Sequence, residues 1–156
     1  MNNEDKKYIE AQVATLKDSL QFFSNECKPD REKWVTNELL KYMQVETSFD
    51  EMRSSEDDPP DIVFRDANFE IKEILDKHRK RTAQYKESLA KAKQATDASS
   101  LLENYTPIGL RISDGLVFVL NEAKQYNAKY PTLVRQSLDL LIYLNLQYTT
   151  IIESEL

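Results

Sequence analysis

Asp61-Ile-Val-Phe64 and Phe69-Glu-Ile-Lys-Glu-Ile74 decide the fold. Both runs read as short strands, and Arg65-Asp66-Ala67-Asn68 separates them as a turn. Pairing Phe64 with Phe69 across that even-length turn sets Val63 opposite Glu70, Ile62 opposite Ile71 and Asp61 opposite Lys72. Directly opposed residues of an antiparallel pair share a face, and side chains alternate faces along each strand. Asp61, Glu70 and Lys72 therefore fall on one face, and Ile62, Phe64, Phe69 and Ile71 on the other. A one-residue slip would move Asp61 to the wrong side.

Two carboxylates and an ammonium on one sheet face suit phosphodiester hydrolysis. Asp61 and Glu70 are candidate ligands for Mg²⁺ or Mn²⁺, hard cations that take oxygen donors, and the carbonyl of Ile71 can add another oxygen. Such a metal polarises a phosphate and acidifies a bound water. Lys72 is placed to offset charge developing on phosphorus. The same residues also fit a plain amphipathic hairpin with a solvated polar face. In that case Asp61 and Lys72 form an ordinary cross-strand ion pair, worth about 0.2–1 kcal/mol. The spacing Asp … Glu-x-Lys is easily met by chance in a chain that is 31% charged.

Pro60-Asp61 followed by Glu70-Ile71-Lys72 resembles the signature of the PD-(D/E)XK nuclease superfamily, the restriction-endonuclease-like fold. Three segments narrow the likeness: Arg31-Glu-Lys-Trp34, Pro59-Pro-Asp-Ile-Val-Phe-Arg-Asp-Ala-Asn-Phe-Glu-Ile-Lys-Glu73 and Ser137-Leu-Asp-Leu-Leu-Ile-Tyr-Leu-Asn145. Together they resemble a bacterial family of unknown function labelled "putative endonuclease". The resemblance implies an α/β fold with an α-β-β-β-α-β core and Asp61, Glu70 and Lys72 as the catalytic set. It also implies a nucleic-acid substrate, with DNA favoured, and leaves a homodimer open. In parts of that superfamily a glutamate from the first core helix joins the metal, which makes Glu38 a candidate by position. The same fold hosts inactive members, so a non-catalytic interaction protein is the alternative. The resembled family extends further past its last core strand than Ile151-Ile-Glu-Ser-Glu-Leu156, so a short member or a fragment is expected.

Length and composition bound the rest. A chain of 156 residues is expected to form one domain, residues 1–156. One cysteine, Cys27, excludes an internal disulfide framework. One cysteine and one histidine, His78, cannot build a zinc cluster of that type. Two glycines argue against a glycine-rich phosphate loop. The start lacks a signal-peptide pattern, and no apolar run approaches the roughly 20 residues of a membrane helix. A cytoplasmic protein is expected.

The net charge of −6 opposes nucleic-acid binding in bulk, but its distribution matters more. Acid gathers in Asp50-Glu51 and Glu56-Asp57-Asp58. Base gathers in Lys77-His78-Arg79-Lys80-Arg81, with Lys86 beyond. Lys77, Arg79, Lys80, Arg81 and Lys86 are candidates to track a phosphate backbone, against the ordinary reading of a solvated helix face.

Periodicity supplies the remaining elements. Ile9, Val13, Leu16, Leu20 and Phe23 mark an extra N-terminal helix. Asp30 reads as the N-cap of a second helix over 31–43, with Trp34, Val35, Leu39 and Met43 as its apolar face. Val45–Phe49 reads as the first core strand and 50–60 as an exposed loop. A sparse stripe of Tyr85, Leu89 and Ala92 marks a helix over 79–98. Thr106-Pro107 reads as a helix start, with Ile108, Ile112, Leu116, Val119, Ala123, Tyr126 and Tyr130 holding a long helical stripe. The eight tyrosines are read as packing residues. Leu138–Leu146 reads as a last strand, buried on both faces and lying next to the hairpin.

Overall fold

The computed structural model describes residues 2–102 and 106–152; most of the Ile151–Leu156 ending expected to mark a short member lies outside them. The described residues form an α/β protein with five α-helices and mixed β pairing. They pack as two compact units, one from residues 1–28 and 77–106 and the other from 29–76 and 107–156. Neither unit is continuous in sequence, because the second is interrupted by the inserted half of the first.

The first unit holds α1 (Asn3–Phe22) and α3 (Arg81–Gln94). Asn2 caps α1 by accepting the Asp5 N–H at 2.7 Å, satisfying one of the donors that a helix start leaves open. The two helices meet through aromatics: Phe23 stacks on Tyr85 at 5.6 Å, and the Arg81 guanidinium lies 3.9 Å from the Phe23 ring centre. Ala92 is buried, so the sparse stripe packs through a small residue.

The second unit contains α2 (Lys28–Tyr42) from Pro29 onward, β1 (Met52–Ser54), β2 (Ile62–Phe64) and β3 (Ala67–Leu75). It continues with β4 (Ile108–Arg111), α4 (Ile112–Lys129), α5 (Thr132–Arg135), β5 (Asp139–Asn145) and β6 (Thr149–Ile152). The larger sheet has the order β1-β2-β3-β5, antiparallel except for the parallel β3/β5 pair. A second pair joins β4 and β6 in parallel. The core is Val35, Leu40, Met52, Ile62, Phe64, Phe69, Ile71 and Leu141. Fully burying a side chain such as Ile62 contributes about 1.5–3 kcal/mol.

Several sequence expectations shift. The hairpin turn has two residues, Arg65-Asp66, and the register is Ile62↔Phe69, Val63↔Asn68 and Phe64↔Ala67. Asn68 suits a turn, but here it stays in the ladder and its Nδ2 donates to the Ser137 carbonyl at 3.2 Å. Arg65 takes a positive φ of 53°, as tight primed hairpin turns require at their first central residue. That conformation costs about 1–2 kcal/mol in a residue with a Cβ. The Arg65 guanidinium offsets it through Glu51 Oε2 at 2.8 Å and the Glu46 carbonyl at 3.0 Å.

Helix α2 starts at Lys28 and not after Asp30, because proline is tolerated in a first turn. Its buried residues are Val35, Thr36, Asn37 and Leu40, whereas Trp34 is half exposed. Thr36 is accommodated because its Oγ1 donates to the Glu32 carbonyl one turn back at 2.9 Å. The first strand is Met52–Ser54, inside the stretch read as a loop. A three-residue strand with one apolar side chain gives almost no alternating signal. Residues 108–111 form β4, not the start of α4, because the parallel partner 149–152 overrides the helical period. The strand expected over 138–146 is β5 and does lie beside β3, but at the end of the sheet order and mostly half buried, and β6 follows it in the chain.

Candidate active site

Glu70 is the centre of the polar face. It sits on β3, which is paired with β2 on one side and β5 on the other, and it is only 1% exposed. A buried carboxylate must be hydrogen-bonded or paired, or its desolvation is costly. Its Oε1 accepts from Lys72 Nζ at 2.6 Å and from the Tyr130 hydroxyl at 2.8 Å. Lys129 Nζ stands 3.7 Å from the same oxygen. Oε2 is equally buried and has no hydrogen-bond partner among the described residues.

Asp61 lies one residue beyond the β2/β3 ladder, where the register would bring it level with Glu70. There β2 no longer supplies acceptors to β3. The Asp61 carboxylate takes over: its Oδ2 accepts the Ile71 N–H at 2.8 Å, while the Asp61 N–H donates to the Phe69 carbonyl at 2.9 Å. The observed register differs from the expected one by two residues. An even slip preserves the expected parity, and Glu70 and Lys72 do share a side, where they meet at 2.6 Å.

Four residues that sequence reasoning did not single out for the site, Tyr130, Asp58, Lys129 and Tyr126, complete the cluster. Tyr130, which follows α4 directly, is 7% exposed, and its hydroxyl also approaches Asp58 Oδ1 at 3.2 Å. A phenol has one proton, and the nearer acceptor, Glu70, takes it. Burial, then the hydrogen bond and charge of Glu70, then Asp58, push the Tyr130 hydroxyl far above the usual tyrosine range, so it acts as a donor. Lys129 donates to the Tyr130 oxygen and lies 3.6 Å from Asp58 Oδ2. Tyr126 packs edge-on against Tyr130 at 5.2 Å, and burial followed by the Glu70 charge raises its hydroxyl too.

The other expected residues sit elsewhere. Glu38 pairs with Lys41 at 2.9 Å on an exposed face of α2. Ile71 is buried in β3 and meets Asp61 through its N–H. Lys77, Lys80 and Lys86 are exposed in the first unit, whereas Arg79 donates to Gln84 and Arg81 covers Phe23. Among the described residues no group of three or more His, Cys, Asp or Glu side chains is arranged to hold a metal ion. Two carboxylates are nevertheless a workable set for Mg²⁺, which is bound through one or two carboxylates and keeps several waters. No helix of the described residues is long and apolar enough to cross a membrane.

A mixed sheet whose central strand carries a buried glutamate beside lysine and tyrosine places this chain among α/β proteins with a polar site at the sheet face. The chain belongs to the family described as "Putative endonuclease, protein of unknown function (DUF1780)", whose model matches residues 4–156. Among solved structures it is similar to a protein of unknown function from Pseudomonas aeruginosa strain PAO1, described as of the monooxygenase superfamily. That similarity has a TM-score of 0.50 and 21% identity, and covers 97% of this chain and 69% of the other. At that identity the likeness concerns the fold alone. No curated protein matches the sequence.

Proposed function

We propose that this chain is a metal-dependent nuclease that hydrolyses phosphodiester bonds in nucleic acid, DNA in preference, on a restriction-endonuclease-like core. The observation that carries the reading is Glu70: a buried carboxylate with Lys72 on one oxygen and no partner on the other, one residue before the Ile71 N–H that Asp61 holds. The run α2-β1-β2-β3 supports it, since it follows the first four elements of the expected core; α3 and β4 then precede α4, and α5 separates α4 from β5. The family description points to the same substrate class.

In this reading Asp61 and Glu70 hold Mg²⁺ or Mn²⁺, with the Ile71 carbonyl as a further oxygen donor. When bound, the ion polarises the phosphate and lowers the pKa of a water. Lys72 donates to a phosphate oxygen as charge builds there. Lys77, Lys80 and Lys86 supply exposed charge for the backbone, while Arg79 and Arg81 contribute less because each already has a partner. Glu38, paired with Lys41, is not needed.

A cleavage assay on plasmid, single-stranded DNA and RNA with Mg²⁺ and with Mn²⁺, beside Lys72→Ala, tests this. Cutting by wild type and none by the variant is the expected result. Protein that neither binds nor cuts any nucleic acid at low salt with Mn²⁺ overturns it. The second reading, a non-catalytic interaction protein, rests on the apolar side chains that α4 leaves exposed: Ile112, Leu116, Val117, Phe118 and Leu120. Such exposure exceeds what isolated surface residues account for. It predicts no cleavage, and release of a protein partner on Leu116→Glu.

A further inference from the structure

Glu70 is held from one side only. Lys72, Tyr130 and Lys129 all converge on Oε1, while Oε2 is buried with no partner among the described residues. A carboxylate can exchange its two oxygens by turning about its last bond, so one-sided anchoring has to be maintained by something stiff. Lys72 is a long, flexible chain with 31% of its side chain exposed. Lys129 is more exposed still, at 49%. Tyr130 has two side-chain torsions, is 7% exposed, and its ring is fixed by the edge-on contact with Tyr126 at 62°. The stiff member of the anchor is therefore the tyrosine.

An unpaired buried carboxylate oxygen is destabilising, so a chain that fixes one in place gains from whatever fills it. Resting on the reading of Asp61 and Glu70 as a cation site, we propose that Tyr130 is a positioning residue. It pins Glu70 by Oε1 so that Oε2 is the oxygen presented to the cation. The logic is that of an outer group that orients a ligand: it touches neither metal nor substrate, yet decides which atom of the ligand is offered. Tyr126 is the internal contrast. It has the same ring and neighbourhood, but its hydroxyl is not bonded to Glu70 and has no hydrogen-bond partner among the described residues.

The test is Mn²⁺ binding to the full chain, followed by electron paramagnetic resonance of the free ion and by titration calorimetry, for wild type, Tyr130→Phe, Tyr126→Phe and Asp61→Ala. Tyr130→Phe removes one oxygen and keeps the ring. It should weaken Mn²⁺ about 10–100-fold, the usual range for an outer group, while Tyr126→Phe stays at the wild-type affinity. Near-ultraviolet circular dichroism of the metal-free proteins checks that the aromatic pair remains packed. A merely structural role for the pair predicts that the two phenylalanine variants behave alike. If they do, or if Tyr130→Phe binds as wild type does, the positioning role is overturned while the cation site stands. Should Tyr130→Phe fail to pack, Tyr130→His, which retains a ring donor, is expected to bind more tightly than Tyr130→Leu; equal binding by those two also overturns it. If wild type binds no more Mn²⁺ than Asp61→Ala, the cation site itself fails and this role fails with it.

Discussion

Strand β3 and helix α2 each carry a glutamate–lysine pair, and the two differ in almost everything but distance. Glu70 and Lys72 meet at 2.6 Å, Glu38 and Lys41 at 2.9 Å. On β3 the carboxylate is 1% exposed and sits among a tyrosine and two ammonium groups. On α2 the carboxylate is 46% exposed, and water can solvate it as well as the lysine does. An exposed pair contributes about 0–1 kcal/mol, whereas breaking up a buried one leaves a charge that nothing solvates. Separation alone therefore says little about which pair matters, and burial says a great deal.

The sharpest way to break the comparison is to remove each glutamate. Glu70→Ala should abolish cleavage and also the thermal stabilisation by Mn²⁺, which mass action sets at about 2.7 kcal/mol when the ion is at a hundred times its Kd. Asp61→Ala should match it in a melt with and without metal. Retention of the metal response in both variants would show that the buried pair is structural.

Next comes the lysine. Lys72→Ala should eliminate cutting yet leave nucleic-acid binding nearly intact, because its proposed role is confined to one phosphate in the transition state. It should also cost about 1–3 kcal/mol in urea unfolding, since Glu70 keeps its burial and loses its shortest partner. Combined Lys77→Ala, Lys80→Ala and Lys86→Ala should do the reverse. Binding should weaken across all sequences, and the log–log salt slope should flatten by about 0.9 for each phosphate no longer neutralised. The smallest effect is expected on α2. Glu38→Ala should stay within about 0.5 kcal/mol of wild type and keep the full metal response. A metal response abolished there would bring Glu38 back into the site and undo the contrast.

The polar face is legible in the sequence because parity survives error. The hairpin register expected from the turn length is two residues out, yet an even slip preserves parity, and Glu70 and Lys72 do meet on one side. Lys72 apart, the partners on Glu70 are not legible. Tyr130 and Glu70 are 60 positions apart, and Tyr130 and Asp58 are 72 apart, so no local pattern links them. The one available hint is a Lys-Tyr pair closing a helix just before Pro131, and tyrosine there fits a packing stripe equally well. Ile108 illustrates the opposite failure. Its spacing to Ile112 satisfies a helical period, but the strand at 149–152 supplies hydrogen bonds that periodicity cannot foresee.

The parallel pairing of β3 with β5 has a kinetic consequence. Glu73 and Asn145, joined at 2.7 Å, lie 72 positions apart, and Asp76 accepts from the Gln147 N–H at 2.6 Å across a similar span. Pairings of such separation must close a long loop before they repay its entropy, and they form late and slowly. Until they do, β3 presents one unpaired edge and a half-assembled polar face. Refolding should therefore show helix content appearing before Tyr130 reaches Glu70, and the interval between the two events is the time during which this chain is most open to pairing with another strand.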